Sequence, residues 1–259
     1  MRKYLYLIKM EFGQIGAYRT DLIFTWIYRL FQMLVMFILW SITQKTEAEI
    51  ARLFSYYFIF FLFFDSLLAG KIARWMSKDI RNGSLNAHLL RPINYPFTLW
   101  AKQLAQVSAR VIVPAILFVI FYIIRPDIFA SPSFWNLTFF LITTFLGIVL
   151  SYLFTTITGL WSFWILEVAH TNSVISLLLN LVTGKYIPLY LFSAEVQNAI
   201  GLTPANYWGN FQIQVYQGYV SADELLKGIL VMVVWSVIFF LIARWLYALG
   251  IKVYEANGS

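Results

Sequence analysis

Long apolar runs separated by short polar and basic intervals constrain this chain more than any motif in it. A transmembrane helix needs about 20 mostly apolar residues at roughly 1.5 Å rise each. Runs of that kind occur at about 22–43, 53–70, 104–124, 134–156, 165–184 and 226–247. The composition agrees: of the 259 residues, 61% are hydrophobic and only 12% charged, far from the balance of an ordinary soluble domain. The fold class expected is therefore an all-α polytopic membrane protein with six transmembrane helices, forming one domain over 1–259. No period of 20 to 50 residues recurs to suggest repeats.

Tyr4, Leu5, Ile8, Phe12 and Ile15 follow a 3.6-residue period, so residues 3–17, from Lys3 to Ile15 and just beyond, read as a helix lying in the interface. Lys9 and Glu11 interrupt the apolar stretch, which argues against a signal peptide and for a retained N-terminus. The net charge of +7 is informative through its location. With the N-terminus in the cytoplasm, Arg2, Lys3, Lys9, Arg19, Lys71, Arg74, Lys78, Arg81, Arg91, Lys102, Arg244 and Lys252 fall inside, and Arg29 and Arg110 near that face. Lys45, Arg52, Arg125, Lys185 and Lys227 fall outside. That bias places both termini in the cytoplasm. Because the basic residues line the membrane and the aromatic ones spread through the spans, nucleic acid is not an expected partner, whereas membrane lipid is.

The stretch KDIRNGSLNAHLLRPINYP, residues 78–96, is a polar island between two apolar runs. Gly83 interrupts a helix leaving the second span, and Ser84 is suited to cap a new one running from Leu85 to about Leu90. Pro92 disfavours a helical Arg91 and ends it. The fragment is about 10 Å long, too short to span. Leu85 and Leu89 lie one turn apart on it. Two readings fit these residues: insertion into a groove of a soluble partner, or a loop resting on lipid headgroups.

The pattern Asp79, Gly83, Ser84 with Leu85, Leu89 and Leu90, then Pro92 with Ile93, resembles the loop between the second and third spans of type-2 ATP-binding-cassette (ABC) exporter permeases. "LLRPI" is especially like a subgroup of small bacterial permeases, and the similarity extends over nearly the whole chain. Asp79 stands where glutamate is commoner. The resemblance implies a cytoplasmic coupling helix docking on an ABC ATPase subunit, with His88, Arg91, Glu167 and His170 as further contacts. It also implies a second permease copy or a sister permease, and ATP and Mg on the partner rather than any cofactor in this chain. The location implied is the cell membrane of a prokaryote.

A second interrupted region is GKYIPLYLFSAEVQNAIGLTPANYW. Gly184 and Pro188 break the fifth span, Ser193 can cap a short helix with Glu195 in its first turn, and Gly201 followed by Pro204 ends it. It resembles the short re-entrant helices that close the outer mouth of the family's pathway. That resemblance assigns Gly184, Pro188, Leu189, Phe192, Ser193 and Gly201 to an outer gate; an ordinary structured outer loop is the alternative.

Within the spans, Arg29 and Asp65 lie at compatible depths, so they are expected to form a structural ion pair, with Arg110 as a competing partner for Asp65 and headgroup snorkelling as the alternative for either arginine. Glu167 and His170, three residues apart, could instead handle protons. No phosphate loop, cysteine or zinc motif is present in the sequence, so neither ATP hydrolysis nor metal or covalent catalysis is expected of this chain. The expected function is a non-catalytic permease subunit of an ATP-driven exporter. The rivals are a proton-coupled carrier using Asp65, Glu167 and His170, and a non-transporting anchor or sensor.

Overall fold

The computed structural model describes residues 19–68, 71–90, 94–129, 132–165 and 168–254. The interfacial helix expected over 3–17 lies outside them. The described residues form helices, turns and irregular segments, with no strand among them. In chain order the helices are α1 (Arg19–Ser41), α2 (47–68), α3 (Ile72–Arg81), α4 (Leu85–Leu89), α5 (Tyr95–Ile124), α6 (Phe134–Leu160), α7 (Val168–Val182), α8 (Ala194–Gly201), α9 (Asn210–Gln217) and α10 (Ala222–Val253).

Several helix limits differ from those read in the sequence, each for a local reason. The polar stretch before the second span is mostly helix. Thr46 and Glu49 form a capping box, the threonine side chain accepting from Glu49 N and the glutamate accepting from Thr46 N, which starts α2 at Glu47. The helix that carries the third span likewise begins nine residues before it, because Asn94 caps Phe97 N and Pro96 occupies the first turn of α5. The middle of α2, Phe60–Phe64, is wound as a π-helix, with Asp65 N donating to Phe60 O. Such wide turns are often found at functional positions.

Four helices among the described residues are long and apolar enough to cross a membrane: α1, α5, α6 with its 3-10 extension to Phe163, and α10. Two expected spans are not among them: the second, which the π-helix divides, and the fifth. α7 has 15 residues, about 22 Å at 1.5 Å rise, which is short of a hydrocarbon layer of about 30 Å.

α6 is the central element, packed by α10, α3 and α9. Between helices in lipid there is little hydrophobic driving force, so close approach and interhelical hydrogen bonds hold them together. Both occur on α6. At Gly159 an added Cβ would lie 2.9 Å from the Ala73 Cα, so glycine lets α3 sit directly on the helix. Trp100 Nε1 of α5 donates to Thr156 Oγ1 at 2.9 Å. On the α9 side, the fully buried Gln212 donates to Thr143 O and to Tyr207 O while accepting from Gly209 N, which satisfies its amide. The second buried cluster is aromatic and joins α1 to α2, with Tyr56, Tyr57, Phe58, Phe61 and Phe64 at its centre.

Candidate functional site

Two regions carry the polar geometry of the molecule: the elbow formed by α3 and α4, and the folded-back segment from 183 to 217.

α3 is two-faced. Ile72, Ala73, Met76, Ser77 and Ile80 are buried, whereas Arg74, Lys78 and Arg81 are exposed. The chain then turns at Gly83, whose φ of 71° is in the left-handed region where only glycine avoids a steric cost. Asp79 organises the turn. Its Oδ2 accepts from Tyr95 OH at 2.9 Å, its Oδ1 accepts from Ser84 Oγ at 3.0 Å, and His88 Nε2 stands 3.9 Å away. The His88 and Tyr95 rings are 5.1 Å apart. One carboxylate thereby ties α3, α4 and the start of α5 together.

Two expectations for the elbow, for Ser84 and Leu85, need correction. Ser84 does not cap α4: its own backbone is helical, with φ of −67° and ψ of −13°, and its hydroxyl goes to Asp79 instead. Asp79 itself points inward into this hydrogen-bonded knot, where its short side chain suits the turn. Leu85 does not face outward with Leu89. It is fully buried in the cluster around α6, while Leu89 and Leu90 are 39% and 88% exposed. The reason is the sharp turn at Gly83, which aims the first residue of α4 back at the bundle. The free face consists of Asn86, Ala87, Leu89 and Leu90, with half-buried His88 at its edge. Arg91, Pro92 and Glu167 lie outside the described residues, and so does the side chain of His170.

The folded-back segment begins where α7 stops. Gly184 has φ of 85°, and a Cβ there would collide with the Tyr56 hydroxyl. That hydroxyl is 2.9 Å from Gly184 O and 3.1 Å from Asn210 Oδ1, and can donate to either. Tyr186 O accepts from both Tyr57 OH and Trp40 Nε1. Further along, the Arg52 guanidinium lies between two rings, 4.0 Å from Tyr190 and 3.7 Å from Tyr219. Gln217 Nε2 adds bonds to Ser55 Oγ and Arg52 O. Pro188 precedes a 3-10 turn over Leu189–Leu191 in which Leu189 is buried. Ser193 stands at the N-cap position of α8 with extended backbone but makes no capping bond, and Phe192 O accepts from Gln197 Nε2 instead. Gly201 is the last helical residue of α8, and its carbonyl accepts from Tyr207 OH at 2.7 Å.

A largely buried charge cluster joins α1, α2 and the folded-back segment. Arg29 Nε is 3.5 Å from Asp65 Oδ2, and the guanidinium also donates to Asp65 O at 3.1 Å. Lys185 Nζ reaches the other carboxylate oxygen at 2.6 Å. Sequence reading missed Lys185 as a partner and counted it among the outer charges. In the structure it is 8% exposed and lies 5.4 Å from the Phe61 ring. The signal that could have found it is the Gly184 to Pro188 break, which stops α7 before it can carry Lys185 to the surface.

A sequence model of the ABC-2 family transporter proteins matches residues 22–258, covering all the helices described above except the first turn of α1. The chain belongs to the ABC-2 transporter family. No curated protein matches it. Membership makes it a membrane transport component of the kind that works with ATPase subunits, and it accounts for the resemblance carried by the elbow sequence.

Proposed function

We propose that this chain is the membrane-spanning permease subunit of an ATP-driven exporter, working as a dimer with a second copy or a sister permease. Separate ATPase subunits holding ATP and Mg would dock at the elbow. Four long apolar helices, the π-interrupted α2 and the short α7 together make six passes, with α7 completed by the folded-back segment. The charge bias supports a cytoplasmic elbow and cytoplasmic termini, and the family resemblance supports a prokaryotic cell.

The observation that carries the reading is the elbow's exposed Leu89 and Leu90 tip, set on a rigid base by Asp79, Tyr95 and buried Leu85. Exposed apolar side chains at the end of a short helix suit a hydrophobic groove in a soluble partner. His88, Arg91, Glu167 and His170 would border that contact. Nucleotide-driven closure of the ATPases would pull the two elbows, and the membrane halves would shift in population between states open to either side. Gly184, Pro188, Leu189, Phe192, Ser193 and Gly201 belong to the segment that would close the outer mouth.

Co-purification from native membranes tests this. A nucleotide-binding subunit should accompany the wild-type protein and be lost from a Leu89→Asp, Leu90→Asp variant that still elutes as a single species. Transport in vesicles lacking any ATPase would sink the proposal.

A further inference from the structure

α3 carries a basic face made of Arg74, Lys78 and Arg81, the last of which also donates from Nε to Ser77 O. Arg74, Lys78 and Arg81 are spaced four and three residues apart, so at about 100° per residue they share an arc of about 60°, opposite the buried face. All three are exposed, and among the described residues the Arg74 and Lys78 side chains have no ion-pair partner.

Depth can be read from α5, which runs beside α3. Its 30 residues are about 45 Å long, some 15 Å more than the hydrocarbon layer. α5 ends at the charged turn Arg125-Pro126-Asp127, and counting back about 20 residues puts the opposite hydrocarbon boundary near Leu104. Lys102 therefore lies just outside that boundary, and its Nζ is 4.9 Å from the ring of Trp75 on α3. A tryptophan beside a lysine ammonium is what the headgroup layer favours. Tyr95, where α4 is anchored, is seven residues or about 10 Å further out. So α3 sits at headgroup depth and α4 beyond it.

We propose that Arg74, Lys78 and Arg81 form a binding surface for the phosphodiester headgroups of anionic lipids in the adjacent leaflet, holding the elbow's base against the membrane. Depth favours lipid over a soluble protein, because an acidic partner seated on the Leu89 and Leu90 tip would approach α4 from the aqueous side. The inference uses only the position and charge of α3, and stands whether or not the chain couples to an ATPase.

The test uses the full chain purified in neutral detergent and mixed with micelles holding equal amounts of phosphatidylglycerol and phosphatidylcholine. Retained lipid is counted by native mass spectrometry. The wild-type protein should favour phosphatidylglycerol, and each basic side chain near a charged surface is worth about fivefold. The Arg74→Gln, Lys78→Gln, Arg81→Gln variant should lose about tenfold or more of that preference. Arg244→Gln, on an exposed α10 position, should keep it. In the wild type, raising salt from about 0.1 to about 1 M should remove the preference, which decides the matter even if the triple variant misfolds. An unchanged preference in the triple variant or at high salt overturns the proposal, as does an equal loss in Arg244→Gln. Displacement of the lipid by inorganic phosphate would show a free-anion site instead, and loss of only a co-purifying soluble protein would show a protein surface.

Discussion

The elbow and the folded-back segment are both short helices joined by glycine turns, yet they are held in opposite ways. The elbow is anchored at one end, through Leu85 and the Asp79 knot, and leaves Leu89, Leu90 and three basic side chains exposed. The segment from 183 to 217 is fastened to α2 near both its ends, by Lys185 at Asp65, Gly184 at Tyr56, Tyr186 at Tyr57, Tyr190 at Arg52 and Gln217 at Ser55, and to α6 through Gln212 at Thr143. That contrast indicates which boundaries can move. The elbow ends in a tip that is exposed among the described residues, whereas the folded-back segment should travel with α2 and α6 as one body.

The contrast is most vulnerable at the charge cluster. Asp65→Ala leaves Arg29 and Lys185 without their shared carboxylate, and removing one partner of a buried pair costs about 3–5 kcal/mol. A large fall in thermal stability or yield is expected. Lys185→Met leaves Arg29 and Asp65 matched and should cost far less; equal losses in the two variants would show that Lys185, not the carboxylate, is the organising group.

The elbow's asymmetry comes next. Leu85→Ala should destabilise by about 2–5 kcal/mol because the side chain is fully buried, whereas Leu90→Ala should stay within about 0.5 kcal/mol. Thermal unfolding in detergent would measure both. If Leu90 proves as costly as Leu85, the tip is packed rather than presented.

Arg52→Ala removes the cation held between Tyr190 and Tyr219, a loss of about 1–2 kcal/mol from two ring contacts. Protease nicking within 183–217 should become faster while the elbow is unaffected. Unchanged nicking would argue that the segment is fastened by the deeper contacts alone.

The smallest effect is pH-dependent. The backbone N–H groups of Lys45 and Thr46 hold the Glu49 carboxyl below its ordinary 4.5, and the Arg125 side chain holds the Asp127 carboxyl below 3.8. Groups depressed in this way contribute stability above their unfolded pKa and lose it as pH falls through the folded value. Thermal midpoints measured from neutral to acid should therefore decline slightly below the ordinary carboxylate range, less so in Glu49→Gln. An increase on acidification would reverse the sign.

Much of this architecture was legible in the sequence, because each apolar run and each Gly or Pro break acts locally. The Gly83 turn, the end of α4 near Leu90, the start of α8 after Ser193 and the shared depth of Arg29 and Asp65 all come from spacing along one stretch of chain. Helix starts were less legible where a cap lay inside a polar stretch, as at Thr46 and Asn94. The site's facing was not legible at all. Leu85 and Leu89 share a stripe in sequence, and only the direction of the Gly83 turn against α6 decides which of them is covered.

Hydropathy and residue spacing are properties of consecutive residues, so they were enough to mark this chain as a helical membrane protein, while its family came from the resemblance of its motifs and the family match. It took three-dimensional packing to bring Lys185 onto a carboxylate 120 positions away, to turn Asp79 inward, and to leave the cations of α3 at the surface. Those outcomes depend on where helices stop relative to one another. A buried charge must find whatever partner that geometry brings within reach.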